Sequence, residues 1–164
     1  MTDNTNKDQA QAQQPRFDIT RLYTKDISFE TPNVPAVFTE KVAPALNYEF
    51  NCKDTKIGED LYEVVLRITV TCKVGEKVAF LCEVNQAGLF LVQNVNDQTK
   101  EYLLNATAPN ILFPYVRETI SNLVNKASFP PLNLAPLNFE ALYRVKKAQE
   151  AQKAQQAATP AEKA

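Results

Sequence analysis

The chain has 164 residues, of which 45% are hydrophobic and 23% are charged, and its formal net charge is −1. This size and hydrophobic content are typical of one globular domain, and the balance of 18 basic and 19 acidic residues does not indicate a nucleic-acid-binding protein. The sequence has no histidine, which excludes imidazole-ligated zinc sites and histidine-dependent catalysis, and its three glycines lack the spacing of a phosphate-binding loop.

The N-terminal residues are polar and do not resemble a signal peptide. No later stretch approaches the roughly 20 apolar residues of a membrane span, so we expect a cytoplasmic protein without direct membrane insertion. Cys52, Cys72 and Cys82 are odd in number and not closely spaced. We expect them to be buried thiols, because this pattern suits neither a disulfide framework nor a metal site. No cofactor is expected.

The first part of the chain contains an arm and a strand. Residues 1–15 are rich in Gln, Asn, Asp and Thr and have no apolar periodicity, which predicts a disordered N-terminal arm. Alternating apolar residues over 17–30 predict a first strand. Arg21 and Lys25 interrupt its apolar face, which indicates an edge strand or a strand with a bulge. Residues 31–35 contain two prolines and end this strand.

Three further strands follow in the sequence. Leu46, Tyr48 and Phe50 alternate with polar residues and predict the second strand, and residues 51–58 are predicted to form a polar loop. The clearest alternation covers residues 62–73, and the turn signal that follows predicts a hairpin. In the fourth strand, the predicted inward side chains are Val78, Phe80, Cys82 and Val84, and the predicted outward ones are Ala79, Leu81, Glu83 and Asn85.

The apolar period then changes to that of a helix. A turn or short helix is expected near residues 100–105, and a longer helix is predicted over residues 111–124. Pro109 can start this helix, and Pro114 is expected to kink it or to mark a second start. A last helix is predicted to begin near Asn138. Strands followed by helices indicate an α+β fold, with a four-stranded antiparallel sheet and the helices packed on one face.

Residues 16–145 are predicted to form one domain between two tails. The C-terminal tail, residues 146–164, consists mainly of Ala, Gln, Lys and Glu. This composition favours either a helical extension of the last helix or a disordered segment. Its lysines are expected to be solvated; they are Lys146, Lys147, Lys153 and Lys163.

The most informative stretch is the apolar segment 129–139. Its prolines at 130, 131 and 136 lack a backbone donor and have a fixed φ, so the segment is a poor helix and a poor central strand. An apolar segment that cannot enter regular structure must pack as an extended loop or offer its side chains to another molecule.

Several long blocks, in the same order, resemble the SecB family of bacterial protein-export chaperones. The blocks are residues 21–30, 61–67, 79–84, 109–118 and 129–139, and the resemblance covers about residues 16–145. Members of the family are cytosolic tetramers, built as a dimer of dimers, that hold unfolded precursor proteins. The resemblance therefore implies an ATP-independent holdase, not an enzyme, that keeps precursors translocation-competent and delivers them to the SecA export motor.

The resemblance also implies roles for particular residues. The positions that match the SecA-binding surface are Asp26, Glu30, Leu81 and Glu83, and three acids around one leucine suit a basic partner with an apolar anchor. The positions that match the client-binding grooves are Leu46, Tyr48, Phe50, Leu132, Leu134, Leu137, Phe139, Leu142 and Tyr143. The positions expected at an oligomer interface or in the core are Phe80, Cys82, Val84, Gln86, Tyr115, Val116, Ile120 and Leu123.

The sequence departs from the family pattern at two places and leaves two other interpretations open. Val42 is aliphatic where relatives often carry an aromatic residue, and the tail lacks the family's acidic character. One alternative is a SecB-like chaperone dedicated to a toxin–antitoxin system, which would not need the three acidic residues. The other is an α+β enzyme that uses Asp60, Glu63 or Tyr115, although the lack of histidine and of clustered carboxylates weighs against it.

Overall fold

A computed structural model describes residues 14–157, and it has a four-stranded antiparallel sheet with helices packed on one face. The strands are β1 (Arg16–Glu30), β2 (Pro44–Lys56), β3 (Leu61–Val74) and β4 (Lys77–Gln93). The helices are α1 (Asp97–Tyr102), α2 (Ala108–Lys126) and α3 (Phe139–Ala157). A 3-10 turn (Ala36–Thr39) precedes β2, and a π-helical turn (Leu103–Thr107) joins α1 to α2. The architecture confirms the predicted α+β class.

The two ends of the chain are only partly described. The predicted N-terminal arm lies almost wholly outside the described residues, as do the last residues of the C-terminal tail, 158–164. The part of that tail within the described range is helical, because α3 continues to Ala157.

The strand order is β1-β4-β3-β2, so β1 and β2 are the edges of the sheet. The pairing of β1 with β4 shifts register between Ile19 and Arg21 and again between Thr24 and Asp26. Each shift places one extra residue in β1, so the apolar residues that follow a polar interruption again face the core. The interruptions at Arg21 and Lys25 predict an edge strand or a strand with a bulge, and β1 is both an edge strand and bulged.

Two details of the strand prediction are wrong. The expected loop at 51–58 is mostly strand, because β2 pairs with β3 as far as Lys56 opposite Tyr62. Ladder hydrogen bonds there satisfy the backbone although the side chains show no alternation. Ala79, predicted to face outward, is fully buried, whereas Val78 is only half-buried. A register shift in the β3–β4 pairing at this point reverses the alternation before Phe80.

Most of the helical predictions agree with the structure. Leu112, Val116, Ile120 and Val124 recur every four residues along α2 and are all buried, since α2 packs against β4 and β3. Proline lies in the first turn of α2, as predicted. The expectation of a second helix start at Pro114 is wrong, because α2 continues through this residue without a break. The predicted start of the last helix is confirmed; the side-chain oxygen of Asn138 accepts a 2.9 Å hydrogen bond from the backbone N–H of Ala141.

Gly88 in β4 is a position where the core leaves no room for a side chain. A Cβ added there would lie 2.7 Å from Cε2 of Phe90, a buried ring that stacks on Phe17 with 5.5 Å between ring centroids. We expect Gly88→Ala to lower the free energy of unfolding by about 1–2 kcal/mol, because overpacking exceeds the gain from a less flexible unfolded chain. Thermal denaturation should show a melting temperature lower by about 2–8 °C.

Gly58→Ala is the matched control for this substitution. Its added Cβ would lie 3.6 Å from the Cβ of Leu61, an ordinary contact distance. We expect the control to be neutral or slightly stabilising. Equal melting temperatures for Gly88→Ala and the wild type would show that the Phe90 ring can shift without loss of packing.

Candidate functional site

One face of the edge strand β2 is apolar and uncovered. Leu46, Tyr48 and Phe50 pair with Cys72, Val70 and Ile68 of β3, so they share the face on which the core lies. The β3 residues are buried because α2 packs over β3 and β4. The β2 side chains lie beyond this cover and are 41%, 48% and 47% exposed. An exposed apolar strip on a sheet edge is typical of a binding surface.

Three adjoining depressions run along this strip, and we call them together the β2 groove. The first has a volume of about 300 Å³ and is lined by residues that include Phe38, Val42, Leu46, Phe129 and Leu132. The second has about 310 Å³, with Tyr48, Phe50, Ile68, Phe113, Leu134 and Leu137. The third has about 330 Å³, with Phe50, Cys52, Phe139, Leu142, Tyr143 and Lys146. Phe50 lines both the second and the third depression, so these two are neighbours on the same strand.

The proline-rich connector between α2 and α3 forms the outer wall of the groove. It has no regular structure, as its prolines predict. The ring of Phe129 anchors its start, with centroid distances of 5.2 Å to Phe38 and 5.1 Å to Phe80. Its other end is anchored by Phe139, whose ring lies 5.7 Å from that of Phe113. The connector therefore packs on the core at both ends and lines the groove between them.

The structure brings all nine predicted client-binding residues together along the β2 groove. Leu134 and Phe139 are 8% and 4% exposed, so they form its floor. The others are exposed or half-buried and form its walls. Their role in client binding stays a prediction. Phe38, which is 49% exposed, is a groove residue that the sequence pattern did not predict. The signal that could have found it is an aromatic residue in the short proline-flanked segment between β1 and β2.

A second candidate surface lies on the opposite face of the sheet. Asp26, Glu30, Leu81 and Glu83 lie on neighbouring strands, with Glu30 opposite Leu81 and Ser28 opposite Glu83. Along each strand these residues alternate with residues that face the core, so all four lie on the face of the sheet away from α2. We call these four residues the acidic patch. The structure thus assembles the residues predicted to bind SecA, and that role stays a prediction.

Neighbouring side chains hold Glu83 in place within the acidic patch. Its carboxylate accepts hydrogen bonds from the hydroxyl of Thr69 at 3.2 Å and from the amide of Asn85 at 3.3 Å. Nε of Arg67 lies 3.6 Å from the same carboxylate. Asp26 and Glu30 form no ion pair with any residue that the structure describes. The uncompensated negative charge of the patch therefore lies on β1.

The three residues considered for an enzyme, Asp60, Glu63 and Tyr115, do not lie together in one site. Glu63, on the outer face of β3, accepts hydrogen bonds from Nζ of Lys25 at 2.8 Å and 2.9 Å and another from the hydroxyl of Tyr23. The hydrogen bond from Lys25, and after it the one from Tyr23, lowers the pKa of Glu63, whereas burial raises it. Tyr115 lies on α2, across the sheet from Glu63, and Asp60 lies in the loop between β2 and β3.

The cysteines are free, as predicted. Cys72 and Cys82 are buried, and Cys52 is partly buried in the groove. Burial raises the pKa of the Cys52 thiol to about 12 and that of the Cys82 thiol to about 11. Within residues 14–157, no group of side chains is arranged to hold a metal ion, and no helix is long and apolar enough to cross a membrane.

The residues expected at an oligomer interface or in the core separate into two groups. Those that are buried within the chain are Phe80, Cys82, Val84, Gln86, Val116 and Ile120. Gln86 is the polar member, and its side-chain oxygen accepts a 3.0 Å hydrogen bond from the hydroxyl of Thr24. Leu123 is half-buried and Tyr115 is 48% exposed, so α2 presents a second, partly apolar face away from its own sheet.

Comparisons with known proteins agree with this architecture. The family model described as preprotein translocase subunit SecB matches residues 10–150. The protein-export protein SecB of Pseudomonas fluorescens (strain SBW25) is 47% identical over 156 residues, which cover 95% of this chain and 96% of that protein. The protein-export protein SecB of Idiomarina loihiensis is 52% identical over 146 residues, which cover 88% of this chain and 87% of that protein.

A solved structure shows the same fold. It is the SecB-like chaperone of Mycobacterium tuberculosis in complex with a peptide from an antitoxin, with a TM-score of 0.61, and the match covers 74% of this chain and 91% of that chain. At 18% identity this likeness concerns the fold alone, so it does not favour the toxin–antitoxin interpretation over export. The two relatives of high identity are both export proteins. This chain therefore belongs to the SecB family and is a protein-export chaperone.

Proposed function

We propose that this chain is an ATP-independent holdase that binds unfolded precursor proteins in the cytoplasm, keeps them translocation-competent and delivers them to SecA. The observation that carries the proposal is the β2 groove, a row of three open, mainly apolar depressions with a buried floor and exposed aromatic walls. A protein that binds the unfolded state lowers the concentration of chain free to fold or aggregate, by mass action and without catalysis.

The groove suits an unfolded chain of varied sequence. Apolar side chains are bound through the area that they bury, which demands little of their shape, so one groove accepts many clients. β2 is also an edge strand, with backbone donors and acceptors on its outer side that an extended segment can pair with. The nine residues along the groove, from Leu46 to Tyr143, are the proposed client contacts.

The acidic patch is the proposed SecA contact. It lies on the opposite face of the sheet from the β2 groove, so client and SecA can be bound at the same time. Asp26 and Glu30 would attract a basic partner, and Leu81 would be the apolar anchor between them. This separation of the two surfaces suits a carrier that hands over a client without first releasing it.

The proposed assembly is a tetramer built as a dimer of dimers. Support for it comes from the second face of α2, where Tyr115 is exposed and Leu123 half-buried, because such a face is typical of a helix that packs between subunits. Several grooves on one assembly would add avidity to weak local contacts.

The experiment that tests the proposal measures mass under native conditions, with and without a chemically unfolded precursor and without ATP. We expect a tetramer that gains the mass of the precursor, and light scattering should show less precursor aggregation. Binding that requires ATP, turnover of ATP, or no mass gain together with undiminished aggregation would contradict a passive holdase.

A further inference from the structure

We infer that Thr69 is a positioning residue for SecA binding, because its hydroxyl holds the Glu83 carboxylate on the β3 side of the acidic patch. The inference rests on the proposed SecA contact and adds to it a residue outside the four of the patch. Thr69 lies on the outer face of β3, directly opposite Glu83 of β4. It is half-buried there, beside the partly exposed glutamate.

Two neutral donors hold the Glu83 carboxylate, one at each of its oxygens. The hydroxyl of Thr69 donates to Oε2 at 3.2 Å, and the amide nitrogen of Asn85 donates to Oε1 at 3.3 Å. Because the donors are on different oxygens, they restrict both the position of the carboxylate and the rotation of its plane. Asn85 is only 7% exposed, so it is a fixed donor.

Arg67 supports this arrangement from the same strand as Thr69. It lies directly opposite Asn85 and donates from Nε to Oδ1 of that residue at 2.9 Å, which leaves the amide nitrogen of Asn85 to face Glu83. The same Nε lies 3.6 Å from the Glu83 carboxylate, and the Arg67 side chain is 55% exposed. An exposed ion pair of this kind contributes little, so the two neutral donors determine the orientation of Glu83.

The held carboxylate gives the acidic patch two different sides. The bond to Thr69 draws Glu83 towards β3, whereas Asp26 and Glu30 lie on β1, on the other side of β4. A basic partner placed on Leu81 therefore meets two exposed acids on one side and a fixed acceptor on the other. A carboxylate has about four acceptor sites, so two bound donors leave sites for the partner. A glutamate that is ordered beforehand loses less conformational entropy on binding.

A double-mutant cycle with Glu83 tests the inference. SecA is titrated by calorimetry against the full chain as wild type, Thr69→Val, Glu83→Ala and the double variant. Valine keeps the shape of threonine and removes the donor, so we expect Thr69→Val to weaken SecA binding about three- to ten-fold. In the Glu83→Ala background the same change should add no further loss, because the hydroxyl acts through that carboxylate. Thr69→Ser, which keeps the hydroxyl, should bind SecA like the wild type.

Thr55→Val is the matched control. It makes the same replacement on the same outer face, on β2 and opposite Glu63, and it should leave SecA affinity unchanged. The inference is wrong if Thr69→Val binds SecA like the wild type, if Thr69→Ser or Thr55→Val loses as much affinity, or if the losses from Thr69→Val and Glu83→Ala are additive. Unchanged affinity in Glu83→Ala would instead overturn the proposed SecA contact of Glu83, and the positioning role with it.

Discussion

Replacing Tyr48 and Phe50 together by aspartate is expected to weaken the binding of an unfolded precursor by on the order of 100-fold. Each ring is about half exposed, at 48% and 47%, in the middle of the β2 groove. A client that covers the remaining half buries on the order of 100 Å² per ring, and two carboxylates in its place would be desolvated without a partner. Isothermal titration with a reduced, unfolded precursor measures the loss.

The structure offers a matched control on the same strand. Asn47 and Thr55 are out of phase with the two aromatic residues along β2 and face the other side of the sheet, opposite Thr71 and Glu63. The double substitution Asn47→Asp and Thr55→Asp adds the same charge to β2 at two positions that line none of the three depressions. We expect it to retain client affinity within about three-fold. Equal losses in the two variants would mean that added charge, and not the groove, accounts for the effect.

The second large effect is expected at the acidic patch. Leu81→Arg should weaken SecA binding by at least about 30-fold, because it removes the apolar anchor and adds a cation beside Glu30, where a basic partner would bind. Client holding should be unchanged, since Leu81 faces away from the groove. Calorimetric titration of SecA, and suppression of precursor aggregation by the same variant, measure the two outcomes separately.

Thr55→Arg is a suitable comparison for this variant. Thr55 lies on the same outer face, opposite Glu63, but on β2 at the other edge of the sheet from the β1 residues of the patch. It adds an equal charge without removing the apolar anchor. Unchanged SecA affinity in Leu81→Arg would reject the assignment of the patch. An equal loss of SecA affinity in Thr55→Arg would show that the change in overall charge accounts for the effect.

Much of the fold could be predicted from the chain because the positions that face a core recur with a local period. Alternation identified β3, including the buried Val64 and Val70, and a spacing of about four residues identified the buried side of α2. Pairing partners were less predictable. Residues 51–56 continue β2 only because β3 lies beside them, and the register shift near Ala79 depends on how two strands meet.

The candidate site divides in the same way. The sequence by itself determined which residues share a face where a strand is free of bulges, that the proline-rich connector stays irregular and that the chain resembles the SecB family, because these properties depend on residues close together in the chain. Only the tertiary structure decided that Tyr48 and Phe50 are exposed while Val70 and Ile68, paired with them, are buried. The same packing brings Lys146 into the groove. Exposure depends on which segment, distant in sequence, covers a face, and no local period carries that information.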